Sequence, residues 1–354
     1  MRVLVVNAGS SSLKLALLNE TDEVVDRVTL DRWSGEDETE DIGKFVGRLP
    51  GVDAVGHRIV HGGPELTGPV RIDGSVRDRI AGLAELAPLH QPRGVAGIDA
   101  VGKVLPDVPA VACFDTAFHH DLPPAAATYA LPREWNERWG VRRYGFHGLS
   151  HAHVARRVAE LAGPGRRIVS CHLGSGASLA AIDGDRSVDT TMGFTPLAGL
   201  VMATRSGDVD PGLLLWLLNR VDADELSDTL EHHSGLAGLT GGSGDVRDVI
   251  GSDEPDDRLA LAVYTHHLRR EIAAMAAALN GLDVLVFTGG VGEHQPPIRA
   301  AAAEGLAFLG VRISAAANDA GRTDITAAGA PVRTLVLESR EDVEIARQVR
   351  AVVS

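Results

Sequence analysis

Runs of apolar residues broken by small polar turns set the plan of this chain. Val3-Leu4-Val5-Val6 leads into Asn7-Ala8-Gly9-Ser10-Ser11-Ser12, and alternation resumes through Leu13, Leu15 and Leu17. The pattern predicts a strand, a tight turn and a second strand. Such a turn lets backbone N–H groups and hydroxyls approach a phosphate, with Lys14 adding a point charge, and it equally suits an ordinary hairpin. The pattern returns from Arg167 to Ile182, where Gly174 lines up with Gly9, Ser175 with Ser10 and Ala180 with Leu15. Two similar halves facing each other would gather such turns around one ligand; chance recurrence of glycine-rich hairpins is the alternative. A third strand, Val284 to Phe287, ends in Thr288-Gly289-Gly290-Val291-Gly292-Glu293, and Pro296-Pro297 can open a helix. Val154, Val158 and Leu161 mark one helical face, and Leu268, Ile272, Met275 and Leu279 another. The acidic stretches 34–41 and 252–257 read as solvated loops. Strands alternating with helices predict an α/β protein with layered sheets.

The 354 residues suffice for about two domains and a large core. A net charge of −14 without a basic run argues against a nucleic-acid surface, so a site for anionic ligands must concentrate its positive charge locally. The chain starts directly on a strand, and no apolar run reaches membrane-spanning length. Two lone thiols, Cys113 and Cys171, are too few for a disulfide framework and suit a reducing cytoplasm.

Several familiar signatures are missing: the G-x-x-x-x-G-K-[ST] loop, the third glycine of a dinucleotide fingerprint, G-x-S-x-G and H-E-x-x-H. His147 and His151 have helical spacing, but no acidic or thiol partner stands in register for zinc. The remaining polar clusters are Gly56-His57-Arg58-Ile59-Val60-His61-Gly62-Gly63, Phe114-Asp115-Thr116-Ala117-Phe118-His119, Tyr144-Gly145-Phe146-His147-Gly148 and Thr204-Arg205-Ser206-Gly207-Asp208. Each combines charge or imidazole with a turn. Asp115 stands at the mouth of a predicted strand, and His147 precedes a helix N-terminus where an anion is favoured.

Together with Asn7 to Lys14, Leu86-Ala87-Pro88-Leu89-His90 and Met192-Gly193-Phe194-Thr195-Pro196-Leu197, these blocks closely resemble the acetate kinase family, in its order and over almost the whole chain. The resemblance implies two ribonuclease-H-like lobes of the actin, sugar-kinase and Hsp70 type, with the active-site cleft between them. The N-terminal lobe would span 1–119 with 341–354 returning to it. The C-terminal lobe, 120–340, would carry the nucleotide site and homodimer contacts, the latter through the helix from about Arg258 to Leu279. The implied activity is reversible transfer of the ATP γ-phosphoryl group to acetate in the cytoplasm, with Mg²⁺ (Mn²⁺ able to substitute) and no nucleic-acid or membrane partner. Kinases for propionate or butyrate are the rivals within the class. A filament-type ATPase is a rival outside it.

The roles that the resemblance implies fall on particular residues. Asn7 and Glu341 would organise the metal. Arg58 and Arg205 would clamp carboxylate and phosphoryl groups, Asp115 would be the catalytic carboxylate, and His147 would donate to phosphoryl oxygens. Lys14 and the loop His172, Leu173, Gly174, Ser175, Gly176 would meet the phosphates. Asp245, Val246, Arg247 and Gly290, Val291, Gly292, Glu293, His294 would hold the adenosine end. Val60, Leu89, Phe146 and Pro196 would shape the methyl pocket. The sequence departs from the family at Ser175 and His294, where Asn is usual, and at Val246, where Phe is frequent. Glu338-Ser339-Arg340-Glu341-Asp342 replaces Pro-Thr-Asn-Glu-Glu, and the chain is trimmed before Val52.

Overall fold

The computed structural model describes every residue except 10, 11, 32, 34–38 and 89. The described chain divides into two compact units: Met1–His120 with Phe146–His153 and Arg340–Ser354, and Asp121–Gly145 with Val154–Ser339.

The first unit is built on β1 (Val3–Ala8), β2 (Ser12–Leu18), β3 (Val24–Asp31), β4 (Ala54–Ile59), β5 (Val70–Arg71) and β6 (Ala110–Phe114), in the sheet order β3-β2-β1-β4-β6-β5. The hairpins β1–β2 and β2–β3 are antiparallel, whereas β4 and β6 add in parallel. Val3 to Val6 form an unbroken apolar run because both faces of the sheet are covered. On one face Leu4 and Val6 pack with Ile42, Phe45 and Val101, and on the other Val3 and Val5 pack with Ile345, Ala346 and Val349. The C-terminal helix Glu341–Val353 therefore belongs to the core of this unit.

The second unit repeats the scheme with β7 (Arg167–Leu173), β8 (Ala177–Asp183), β9 (Arg186–Thr190), β10 (Val284–Thr288) and β11 (Arg333–Val336), ordered β11-β10-β7-β8-β9. Again two antiparallel hairpins precede two parallel additions. One topology occurs twice, which favours the internal repeat over chance recurrence. The alignment read from sequence slips by one position beyond the turn. Val5 pairs with Ala16 and Ser170 with Ala180, so Ala180 corresponds to Ala16 and not to Leu15. The first turn is one residue longer than the second.

Two loops expected from acidic composition are partly helical. Glu40 and Asp41 lie in the first turn of helix Thr39–Gly47, which buries Ile42 and Phe45. Asp256 and Asp257 open the helix Pro255–Ala278. Acidic side chains are favoured there by the positive end of the helix dipole, so they mark a helix start instead of a loop. Gly289–His294, read as a turn, is a short helix that runs into Pro296–Glu304.

Candidate active site

In the first unit the three parallel strands carry Asn7, Arg58 and Asp115 at or just beyond their C-terminal ends, where ligands of α/β sheets gather. The residues meet. Asp115 is 1% exposed and receives both Arg58 Nε (3.1 Å) and an Arg58 terminal nitrogen (2.5 Å). The other terminal nitrogen of Arg58 donates to Asn7 Oδ1 at 3.1 Å, and Glu341 lies 3.7 Å from Nε. Burial works against the charge on Arg58, but the carboxylates of Asp115 and Glu341 outweigh it and push its pKa further above the ordinary value. Arg58 thus neutralises Asp115, which lets a buried carboxylate stand where a second carboxylate could approach.

The backbone around this pair is equally constrained. Asp115 N–H donates to the Ile59 carbonyl, and Gly148 N–H donates to the Asp115 carbonyl. A Cβ on Gly148 would sit 2.2 Å from that oxygen, so glycine is needed for the helix Gly148–Ala162 to start there. His147 is thereby fixed beside Asp115, with a left-handed backbone (φ 55°) that is uncommon for a non-glycine residue. Phe146 is buried, stacks edge-on with His61 at 5.5 Å and offers its carbonyl to His119 Nε2 at 3.1 Å. Val60 is buried in the same unit, whereas Leu89 lies outside the described residues.

Among the described residues no group of three or more His, Cys, Asp or Glu is arranged to hold a metal ion. The donor set around Arg58 is oxygen-rich and mixed: the Asn7 amide oxygen with the carboxylates of Asp115 and Glu341. That chemistry suits a hard cation taking one or two carboxylates plus substrate phosphates. Arg340 turns away from it, pairing with Asp342 at 2.9 and 3.0 Å.

Arg205 stands in the second unit. One terminal nitrogen donates to the Pro196 carbonyl at 3.3 Å and approaches Met202 Sδ at 3.7 Å, while no partner takes the rest of its fork among the described residues. Burial lowers its pKa from the ordinary value, against the pull of Glu231. A guanidinium starts so high that it stays charged, with several donors open to an oxyanion.

The same unit holds a cavity of about 450 Å³, lined among others by Gly174, Ser175, Asp245, Val246, Arg247, Gly290, Val291 and His294. The three segments expected at the nucleotide thus share one pocket, within the size range for small ligands. Sequence reasoning missed Leu236 and Tyr264 in its wall, because both fit the apolar face of a core helix, and also Ser243 and Gly244, although the run Gly241-Gly242-Ser243-Gly244 was a usable signal. Asp245 caps the short helix Val246–Val249 and is held down to about 2, mainly by hydrogen bonds from Arg247.

Other residues expected at the nucleotide do not line this cavity. Lys14 is on β2 of the first unit, and Leu173 is a fully buried core side chain. His172, Gly176 and Gly292 do not line the pocket among the described residues. Glu293, expected at the adenosine, accepts N–H groups of Gly289 (2.9 Å) and Ser339 (2.8 Å) through one oxygen. Gly289 takes φ 77° against Leu173, where a Cβ would lie 2.7 Å from the Leu173 carbonyl oxygen. The fully buried Arg299 grips the carbonyls of Gly292 and Glu293, each at 2.8 Å, and so fixes the helix Gly289–His294 that walls the pocket.

Comparison with known proteins agrees with this geometry. Residues 39–347 match the family model for the acetokinase family. An acetate kinase of Shouchella clausii is 41% identical over 98% of both chains. Among solved structures, a propionate kinase of Francisella tularensis has a TM-score of 0.93 at 33% identity over 99% of both chains. An acetate kinase of Porphyromonas gingivalis has 0.91 at 34% identity over 100% of both. Family model, sequence relatives and full-length structural matches agree: the chain belongs to the acetokinase family.

Proposed function

We propose that this protein transfers the γ-phosphoryl group of ATP to acetate, reversibly, giving acetyl phosphate and ADP. The observation that carries the reading is the buried Arg58–Asp115 pair with Asn7 and Glu341 around it. An acetate oxygen attacks the γ-phosphorus as the bond to the β-phosphate oxygen breaks, and ADP leaves. The acceptor is already ionised at neutral pH, so no strong general base is needed. Catalysis rests on positioning and on charge placed where it develops.

Arg205 supplies open donors to the phosphoryl group in flight, and His147, pinned next to Asp115, is a further donor. Asp115 acts by holding Arg58 in place as much as by its own charge. The buried Val60 and Phe146 of the first unit would meet the acetate methyl group, and the cavity at Gly174, Asp245 and Gly290 takes adenosine. Asn7 and Glu341 would hold Mg²⁺, which neutralises phosphate charge when bound.

The base rests on the apolar side chains of Leu236, Val246 and Val291. Weak base discrimination follows, with GTP usable within about tenfold of ATP, a gap of about 1.4 kcal/mol. A cytoplasmic location fits the two buried free thiols, and among the described residues no helix is long and apolar enough to cross a membrane. The protein acts as a homodimer in this reading.

The test is acyl phosphate formation, trapped as hydroxamate, with acetate, propionate and butyrate, using ATP, GTP or pyrophosphate as donor. Acetate should lead, with propionate following at a cost of about 1–3 kcal/mol per methylene. ATP hydrolysis that ignores every acyl acceptor would sink the reading. A preference for butyrate would reassign the acceptor, and a preference for pyrophosphate would remove the adenosine pocket.

A further inference from the structure

A second cavity, about 660 Å³, lies within the first unit and is separate from the Arg58–Asp115 cluster. It opens between the sheet and the helices Gly74–Gly82 and Gln91–Val104, near the segment Val108–Ala110 where β6 begins. His57 and Arg58 are consecutive on β4, so their side chains leave on opposite faces, Arg58 to the catalytic cluster and His57 to this cavity. Small residues make the space. Ala110 lines the sheet side, and a Cβ added at Gly102 on the helix side meets nothing within 4 Å.

The cavity is chemically distinctive. Val55, Ile98 and Val101 give it an apolar wall, and His57 is the polar group set among them. The imidazole is 2% exposed and has no hydrogen bond or ion pair among the described residues. Its ring faces the space of the cavity, where a ligand could pair with it. Burial also lowers its pKa to about 4, so at neutral pH the ring offers one donor and one acceptor.

At the rim, Arg77 is taken by Asp99 (3.0 and 2.6 Å), and Asp73 caps its helix through Val76 N–H. Arg71, Lys103 and Asp107 have no partner among the described residues. The lining holds three cations, Arg71, Arg77 and Lys103, against three carboxylates, Asp73, Asp99 and Asp107, so it has no excess positive charge, and its two unpartnered cations suit a single carboxylate better than a dianion.

We propose that this cavity binds a small aromatic or apolar monocarboxylate that carries a second hydrogen-bonding group. The carboxylate lies between Arg71 and Lys103 and the second group lies against His57. The site is independent of the acyl acceptor proposed above. Its volume falls in the range of pockets that enclose small organic ligands.

The test is calorimetric titration of the full chain with 4-hydroxybenzoate as the carboxylate probe and 4-nitrophenyl phosphate as the dianionic one. ADP and acetate are kept saturating so that the catalytic site is filled. The carboxylate should bind and shift the His57 ring resonances in histidine-labelled protein. Arg71→Ala with Lys103→Ala should weaken it at least about tenfold, one 1.4 kcal/mol step in binding. Gly102→Phe, which fills the space while removing a helix-weakening glycine, should abolish it; Gly102→Leu serves if the Phe variant melts early. No binding of 4-hydroxybenzoate up to about 5 mM, weaker than any Kd near the millimolar mark, would overturn the proposal. So would binding that these substitutions leave unchanged, or tighter binding of the phosphate ester.

Discussion

At the scale of single residues, Arg58 and Asp115 depend on each other more than either role assigned to them from sequence suggests. Asp115 is buried with Arg58 as its cation, through two parallel hydrogen bonds. Removing the arginine leaves an uncompensated buried charge, whereas removing the aspartate's charge leaves a guanidinium that still has Asn7 and Glu341. The two truncations should therefore differ in kind. Arg58→Ala should lose turnover by about 10²-fold or more and also unfold about 3–5 kcal/mol more easily. Asp115→Asn should lose comparable turnover with a much smaller change in stability and intact nucleotide binding. Urea titration and hydroxamate assays on both variants check this. Equal stability losses would mean the pair is not an energetic unit, and wild-type turnover in the Asn variant would remove Asp115 from catalysis.

At the scale of elements, the repeated strand–turn–strand units were legible because their signal is local: apolar runs two faces deep, ended by small residues. The convergence of Asn7, Arg58 and Asp115 was legible only as three separate strand ends, since pairing partners 51 and 57 residues apart leave no local trace. The resemblance to known kinases supplied that link. What stayed hidden was supporting structure, such as Glu293 spending its carboxylate on backbone N–H groups, or Leu236 and Tyr264 facing a pocket from helices that read as core.

The packing around β4 and β6 also has a consequence in solution. His57, His61 and His119 are all buried there, and burial lowers each pKa from 6.5 to about 4, with the Phe146 carbonyl partly opposing this at His119. The unfolded chain binds protons at these sites below pH 6.5 and the folded one does not until about pH 4. Their contribution is thus complete above pH 6.5 and is lost as pH falls toward 4. Each should steepen the loss by up to about 1.4 kcal/mol per pH unit. Unfolding free energies measured from pH 7.5 downward should fall with a slope of more than one proton; a flat profile to pH 5 would show that these histidines titrate normally.

At the scale of the whole molecule, the open matter is how the exposed apolar surface is used. The helix Pro255–Ala278, expected from sequence to make the dimer, spends Ala260, Tyr264, Leu268, Ile272 and Met275 inside its own unit, and Leu259 is its one large hydrophobic side chain among those strongly exposed. The short helix Pro211–Leu217 is the opposite case, with no buried residue. Leu213, Leu215, Trp216 and Leu218 are exposed there by 43, 67, 52 and 46%, next to one another in sequence and on more than one face of the turn. Several large apolar side chains exposed in one short segment often mark an interface. An exposed aromatic side chain such as Trp216 is the type of residue that dominates association energy. Helix Pro211–Leu217 therefore exposes more apolar side chain for the proposed homodimer contact than the long helix does. Leu215→Asp with Trp216→Asp should shift sedimentation at micromolar concentration from dimer to monomer, while Leu259→Asp should leave the dimer intact. Because both substituted side chains are solvent-facing in the single chain, the double variant should keep its circular dichroism spectrum. A wild-type monomer at that concentration would end the homodimer reading, and dissociation by Leu259→Asp alone would return the interface to the long helix.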